Sequence, residues 1–193
     1  MKHTSLQIIR DEHSSLAAML QSMRMMVERG PADKPENFFD VMRAMLFYID
    51  EFPERLHHPK ESNLLFPRVA KAAPHVMGTV DRLERDHMHS EKSVRDVQHL
   101  LLSWELLGES RRQTFTDAFK QYVDAYLEHM RLEEDVILPE AEKVLTDADW
   151  KELDVAFEKN CDPLTGKYPP DPAYDRLFTR IVMRAPAPIG LGG

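Results

Sequence analysis

The sequence is poor in the residues that build disulfide frameworks, phosphate loops and membrane spans. Its one cysteine, Cys161, excludes an internal disulfide framework and fits a reducing compartment. Only 7 glycines in 193 residues argue against glycine-rich phosphate loops and a turn-dense all-β fold. No run approaches the ~20 apolar residues that cross a bilayer, and the first residues carry charge where a signal peptide needs its apolar core. We therefore expect a soluble, cytoplasmic protein.

The charge balance also excludes a class of partner. The formal net charge is -8, and the basic residues are scattered among acids rather than clustered. Binding to a phosphate backbone needs clustered lysine and arginine. We expect neither nucleic acid nor a membrane as a partner.

Hydrophobic residues recur every three to four positions along most of the chain, which is typical of amphipathic helices. This periodicity predicts four long helices over about 5–29, 35–66, 76–107 and 110–145. A capping box at 146–149 predicts a short fifth helix to about residue 160. Four long helices with short connections predict an all-α fold, an antiparallel up-down-up-down four-helix bundle.

A proline-rich C-terminal extension, 161–193, follows the predicted bundle domain, 1–160. Proline at the start of a helix and an apolar stripe predict one short helix within it. The stripe comprises Tyr174, Leu177, Phe178, Ile181 and Val182. Such a stripe must be buried, either on this bundle or on a second subunit of a homodimer.

Four histidines fall one on each long predicted helix, and three of them have a glutamate one turn downstream. The histidines are His13, His57, His87 and His129; the glutamates are Glu61, Glu91 and Glu133. Residues at i and i+4 share a helix face, so each pair can present an imidazole and a carboxylate to one point. A carboxylate buried there without a partner would cost several kcal/mol. Nitrogen and oxygen donors converging inside a bundle predict a site for iron or another divalent metal.

The motifs that carry these residues resemble a known family. The single histidine of helix one, HHPKE followed by LLFP on helix two, His87, and HMRLE on helix four are similar to the hemerythrin-like HHE cation-binding domain over about 5–145. The resemblance implies a di-iron centre with an oxo or hydroxo bridge. It implies terminal histidine ligands and bridging roles for Glu61 and Glu133.

The same resemblance leaves the rest of the ligand set open. Oxygen-carrying hemerythrins use five histidines, and Glu91 stands where the fifth would be. Glu91 either binds the metal directly or accepts a hydrogen bond from a ligand imidazole. His58 points about 100° away from His57 on an ideal helix, but Pro59 can change that. Glu134 replaces Glu133 if helix four is overwound near Pro139.

Three functions are compatible with this pattern. The family resemblance favours binding or redox processing of dioxygen, nitric oxide or peroxide, or the handling of iron itself. A structural or mononuclear zinc site and a metal-free helical interaction protein are the alternatives. The ferritin-like Glu-x-x-His pattern also occurs, at Glu54–His57 and Glu84–His87. It leaves His13 and His129 without a role, so we prefer the four-histidine interpretation.

Overall fold

The structure is a computed structural model that describes residues 3–31, 35–165 and 172–185, together with Gly190. All regular secondary structure in these residues is helical, which confirms the predicted all-α class. Among the described helices, none is both long enough and apolar enough to span a bilayer.

Six helices account for most of the described residues. They are α1 (Thr4–Arg29), α2 (35–72), α3 (Met77–Leu107), α4 (112–144), α5 (Asp147–Phe157) and α6 (Asp175–Arg184). α1 ends at Gly30 and α3 ends at Gly108, both with positive φ, as the sequence predicts. Thr146 and Asp149 form the predicted capping box of α5.

α2 and α4 are interrupted by wide, π-helical turns rather than broken. In α2, Pro35–Glu51 is followed by the π-turn Pro53–His57, His58–Lys60, the π-turn Glu61–Leu65 and Phe66–Ala72. In α4, Arg112–Leu132 is followed by the π-turn Glu133–Ile137 and Leu138–Val144.

Proline explains where the π-turns occur. Pro59, Pro67 and Pro139 each follow a π-turn by two residues. A proline ring clashes with the carbonyl of the residue four positions earlier, and that residue lies inside the π-turn in all three cases. Widening the turn relieves the clash while the helix continues. Near Pro59, Pro67 and Pro139 the helix therefore changes its pitch locally and continues.

Two hydrophobic cores lie along the long helices, one on each side of the histidine positions. In α1, residues 6–9 belong to one core and residues 16–27 to the other. The order of the two cores along the chain reverses in α2, again in α3 and again in α4. Successive long helices therefore run in opposite directions, and the histidines lie between the two cores.

α6 packs against α2 of its own chain. Ile181 is fully buried, Phe178 makes an edge contact with Tyr48, and Tyr174 makes one with Phe52. Val182, the last residue of the predicted stripe, is 39% exposed. Residues 166–171, 186–189 and 191–193 of the predicted extension lie outside the described residues.

Candidate metal centre

The four histidines that the sequence distributes over the long helices converge in the structure. Their side chains are at most 7% exposed. Nε2 of His13 lies 3.2 Å from Nε2 of His57, and Nε2 of His87 lies 3.0 Å from Nε2 of His129. Two nitrogens bound at right angles to one metal, each about 2.1 Å from it, are about 3.0 Å apart. Each histidine pair therefore has the separation of two neighbouring ligands on one ion.

Glu61 connects the two histidine pairs. Its Oε1 lies 3.0 Å from Nε2 of His57, and its Oε2 lies 3.5 Å from Nε2 of His87. Glu133 does the same from the opposite helix. Its Oε2 lies 3.2 Å from Nε2 of His13, and its Oε1 lies 3.2 Å from Nε2 of His129. Each carboxylate thus directs one oxygen to each pair, as a carboxylate that bridges two ions would.

These two carboxylates have no hydrogen-bond donors to compensate their burial. Glu61 is 0% exposed and Glu133 is 1% exposed. All four oxygens lack a hydrogen-bond partner among the described residues, since the nearby imidazole nitrogens do not have the geometry of donors. An uncompensated buried charge costs several kcal/mol. Two cations between the histidine pairs would remove that cost, so the residues fit a dinuclear metal centre.

His58 joins the cluster as well. Its ring stacks on that of His87 with the centroids 4.1 Å apart. Two groups each offer ligand atoms within 4.8 Å of one another. One group comprises His13, His57, Glu61 and Glu133, and the other His58, Glu61, His87 and His129. Because a π-turn spreads one turn over more residues than an α-turn, His57 and His58 diverge by less than the 100° of an ideal helix.

The outward-facing nitrogens of these five histidines all lie beside an oxygen acceptor. The Nδ1–oxygen distances are 3.0 Å for His13–Glu134, 2.6 Å for His57–Glu12, 3.1 Å for His58–Glu54, 2.8 Å for His87–Ser62 and 3.5 Å for His129–Asp86. An acceptor at Nδ1 favours the proton there and leaves the Nε2 lone pair free for a metal, except in His129, whose Nδ1 makes no hydrogen bond with the described residues.

Glu91 is not part of the cluster. It is exposed, and its carboxylate accepts a hydrogen bond from Arg95 at 2.5 Å. The prediction that Glu91 binds the metal or accepts a hydrogen bond from a ligand imidazole is therefore wrong. α3 is a regular helix around His87, and Glu91 lies on its solvent-facing side. Glu134 also lies outside the cluster, and both ligand groups omit Glu54 and Glu84 of the ferritin-like pattern.

The neighbouring histidines 57 and 58 have pKa shifts of opposite sign. Burial lowers the pKa of His57, but the charge of Glu61 and the hydrogen bond to Glu12 outweigh burial, and the pKa lies well above its usual value. Burial lowers the pKa of His58, and the charges of His87 and His129 lower it further. Burial also lowers the pKa of His129, yet the charge of Glu133 raises it to about 10. The two buried carboxylates therefore raise the pKa of the histidines beside them.

Four supporting residues had no clear signal in the sequence. Glu12, which is buried, accepts hydrogen bonds from Nδ1 of His57 and from the side-chain amide of Asn160 at 2.9 Å. Asn160 in turn accepts a hydrogen bond from Lys60. Ser62 and Asp86 adjoin ligand positions in sequence, but which histidine each one contacts depends on how the helices pack.

Two cavities adjoin the cluster, and His58 and Tyr126 line both. A small one of about 20 Å³ borders His13 and His57 and has mostly apolar walls, including Leu16, Phe52 and Met130. It has room for about one water-sized molecule. A larger cleft of about 370 Å³ opens between α3 and α4 and borders His58 and His129.

Comparison with known proteins gives two matches. The model of the family described as "Hemerythrin HHE cation binding domain" matches residues 4–141. An uncharacterized protein of Haemophilus influenzae is 31% identical over 97 residues, which cover 49% of this chain and 53% of that protein. The match to this curated relative thus spans about half of its length. All the residues of the two ligand groups fall inside the family match, whereas Asn160 lies beyond it.

Proposed function

Because the chain belongs to the hemerythrin HHE cation-binding domain family, we propose that it holds a pair of iron ions and uses them to bind, oxidise or reduce a small species. Dioxygen, nitric oxide and peroxide are the candidates. The observation that carries the proposal is the position of Glu61 and Glu133, each with one oxygen beside each histidine pair.

The ligand sets of the two ions differ in this proposal. His13 and His57 hold one ion, and His58, His87 and His129 hold the other, with Glu61 and Glu133 bridging them. The two-histidine side would offer its ion one protein ligand fewer than the three-histidine side. The small apolar cavity beside His13 and His57 supports a diatomic or peroxide ligand on the less saturated side.

When bound, the iron pair supplies one-electron steps between ferrous and ferric states. The protein supplies the surroundings. Leu16, Phe52 and Met130 exclude bulk water from the two-histidine side. Tyr126, whose hydroxyl lies 3.1 Å from Nε2 of His58, offers a hydrogen-bonding group next to the three-histidine side.

The architecture that we propose for this function is the up-down-up-down four-helix bundle, formed by 1–160. The extension 161–193 covers part of the bundle of its own chain, and the packing of α6 on α2 supports this assignment. A homodimer and a cytoplasmic location complete the proposal, and gel filtration with light scattering tests the former.

Metal loading tests the proposed function. The protein is loaded with ferrous iron without air, and iron is counted before spectra are taken in air, with dithionite and with nitric oxide. We expect two iron ions per chain and a ferric charge-transfer band that dithionite abolishes and nitric oxide changes. A colourless protein with one tightly held zinc ion would contradict the proposal.

A matched pair of variants links the iron to the site. Glu133→Ala should lose iron, because it removes a bridging carboxylate. Glu134→Ala, the neighbouring and partly exposed position, should keep both ions. Equal iron contents in the two variants would contradict the bridging role of Glu133.

A further inference from the structure

The cleft between α3 and α4 is too large for a diatomic ligand. Its volume of about 370 Å³ compares with about 30 Å³ for one water molecule. It falls in the range of roughly 300–1,000 Å³ that is usual for pockets binding organic molecules. His58 and His129 line its inner side, so anything bound there lies against the metal centre.

Small side chains on the facing sides of two helices create the cleft. Ser90 and Ser93 lie on α3, and Ala118 and Ala125 lie on α4. These four residues leave unfilled the space that leucine or phenylalanine would occupy in a packed helix pair.

The lining has a definite chemistry. It contains two carboxylates, Asp86 and Asp96, and none of the described residues that line it is lysine or arginine. Tyr122 and Tyr126 provide aromatic surface, with their rings 5.6 Å apart in an edge arrangement. The hydroxyl of Tyr122 is buried and has no hydrogen-bond partner among the described residues.

Because the Tyr122 hydroxyl has almost no accessible surface, its ring rather than its hydroxyl faces the cleft. Aromatic surface favours an aromatic ligand, and a cation gains further from the tyrosine faces. Two carboxylates, with no lysine or arginine among the described lining residues, disfavour an anion.

We propose that this cleft binds a neutral or cationic aromatic molecule, of one or two rings, and holds it against the three-histidine side of the metal centre. The proposal deepens the proposed function, on which it rests for the metal next to the ligand. It gives the centre an organic substrate or reductant through the larger cleft. Binding to the cleft itself does not require iron.

Three indoles that differ in charge test the proposal. Tryptophol is neutral, tryptamine is cationic and indole-3-propionate is anionic. Binding of each is measured by NMR on the zinc-loaded protein, followed at the methyl groups of Ala118 and Ala125. We expect tryptophol and tryptamine to bind and indole-3-propionate to bind at least about tenfold more weakly. No binding, or tightest binding of the anion, would overturn the proposal.

Variants locate the binding site. Ala125→Leu and Ala118→Leu fill the cleft with a good helix former at positions that are not fully buried, and each should weaken tryptophol at least about tenfold. Ala18→Leu, an exposed position on α1, is the control and should bind as the wild type does. Unchanged binding by both cleft variants would overturn the proposal.

A manganese-loaded sample separates this proposal from the proposed function. Bound tryptophol should show enhanced proton relaxation with manganese and not with zinc, because it lies next to the metal. Binding without that enhancement would overturn the metal placement of the proposed function and leave the cleft as a ligand site.

Discussion

The carboxylate of Glu12 accepts a hydrogen bond from Nδ1 of His57 over 2.6 Å, and both side chains are buried. This contact keeps the proton of His57 on Nδ1 and directs its Nε2 to the candidate metal centre. A charged acceptor also makes the imidazole a stronger donor to a metal. Glu12 adjoins His13 in sequence, yet it supports the histidine of another helix.

Glu12→Gln should weaken metal binding by about 10–100-fold, the usual cost of removing such a partner. Competition with a chelator, using cobalt or iron, measures the effect. Glu134→Gln is the matched control, because Glu134 lies beside Nδ1 of His13 as Glu12 lies beside Nδ1 of His57. Glu134 is 41% exposed, and water can take its place, so the control should lose much less. Equal losses would contradict a special role for the buried carboxylate.

Asn160→Ala should weaken metal binding too, by less than Glu12→Gln does. Asn160 donates to the same oxygen of Glu12 that accepts from His57, so it acts through Glu12. The double variant should therefore bind metal no more weakly than Glu12→Gln alone. Additive losses in this cycle would show that Asn160 acts by another route. Glu158→Ala, at an exposed neighbouring position, controls for damage to the segment that follows α5.

Asp162 should make stability depend on pH. Burial raises its pKa to about 6, despite the hydrogen bond from Tyr48. The folded state therefore holds the proton more tightly than the unfolded state does. The stability that protonated Asp162 contributes is fully present below about pH 4 and is lost as the pH rises through about 6. The total loss is at most about 3 kcal/mol of unfolding free energy.

Asp162→Asn removes this titration. Relative to the wild type, the variant should gain roughly 1 kcal/mol of unfolding free energy between about pH 5 and pH 7.5. Urea denaturation of both proteins, in the same metal state, measures the difference. A difference that stays constant or falls with pH would contradict the raised pKa.

His58→Ala should leave one tightly held iron ion per chain, because it removes a ligand from the three-histidine side alone. Glu91→Ala should leave two, since Glu91 is bound to Arg95 at the surface. Iron counting after dialysis against a weak chelator measures both. If His58→Ala kept both iron ions and Glu91→Ala lost iron, the result would contradict the ligand assignment and favour Glu91 as a ligand.

The sequence predicted the helices and most of the residues that converge in the cluster, because both follow from regular spacing. The long helices begin and end within a few residues of the predicted positions, except α2, which continues to Ala72. His57 and Glu61, and likewise His129 and Glu133, meet because one helical turn separates them. The sequence also indicated where two helices end, because a glycine follows each of them, Gly30 after α1 and Gly108 after α3.

Glu91 and His58 were not predictable in the same way. The spacing of Glu91 from His87 matches the other two pairs, but α3 turns it to solvent. His58 enters the cluster through a π-turn that an ideal helical wheel does not contain. Pro59 indicated that the helix departs from ideal geometry. It did not indicate in which direction the side chain of His58 turns. Asn160 depends on how the chain folds back after α5, which local pattern does not specify.

Anomalous X-ray diffraction at the iron edge, on crystals of the iron-loaded protein, tests the dinuclear centre most directly. We predict two iron peaks about 3.5–4 Å apart, one beside His13 and His57 and the other beside His87 and His129, with Glu61 and Glu133 touching both. A single peak, or peaks away from these two carboxylates, would contradict the account.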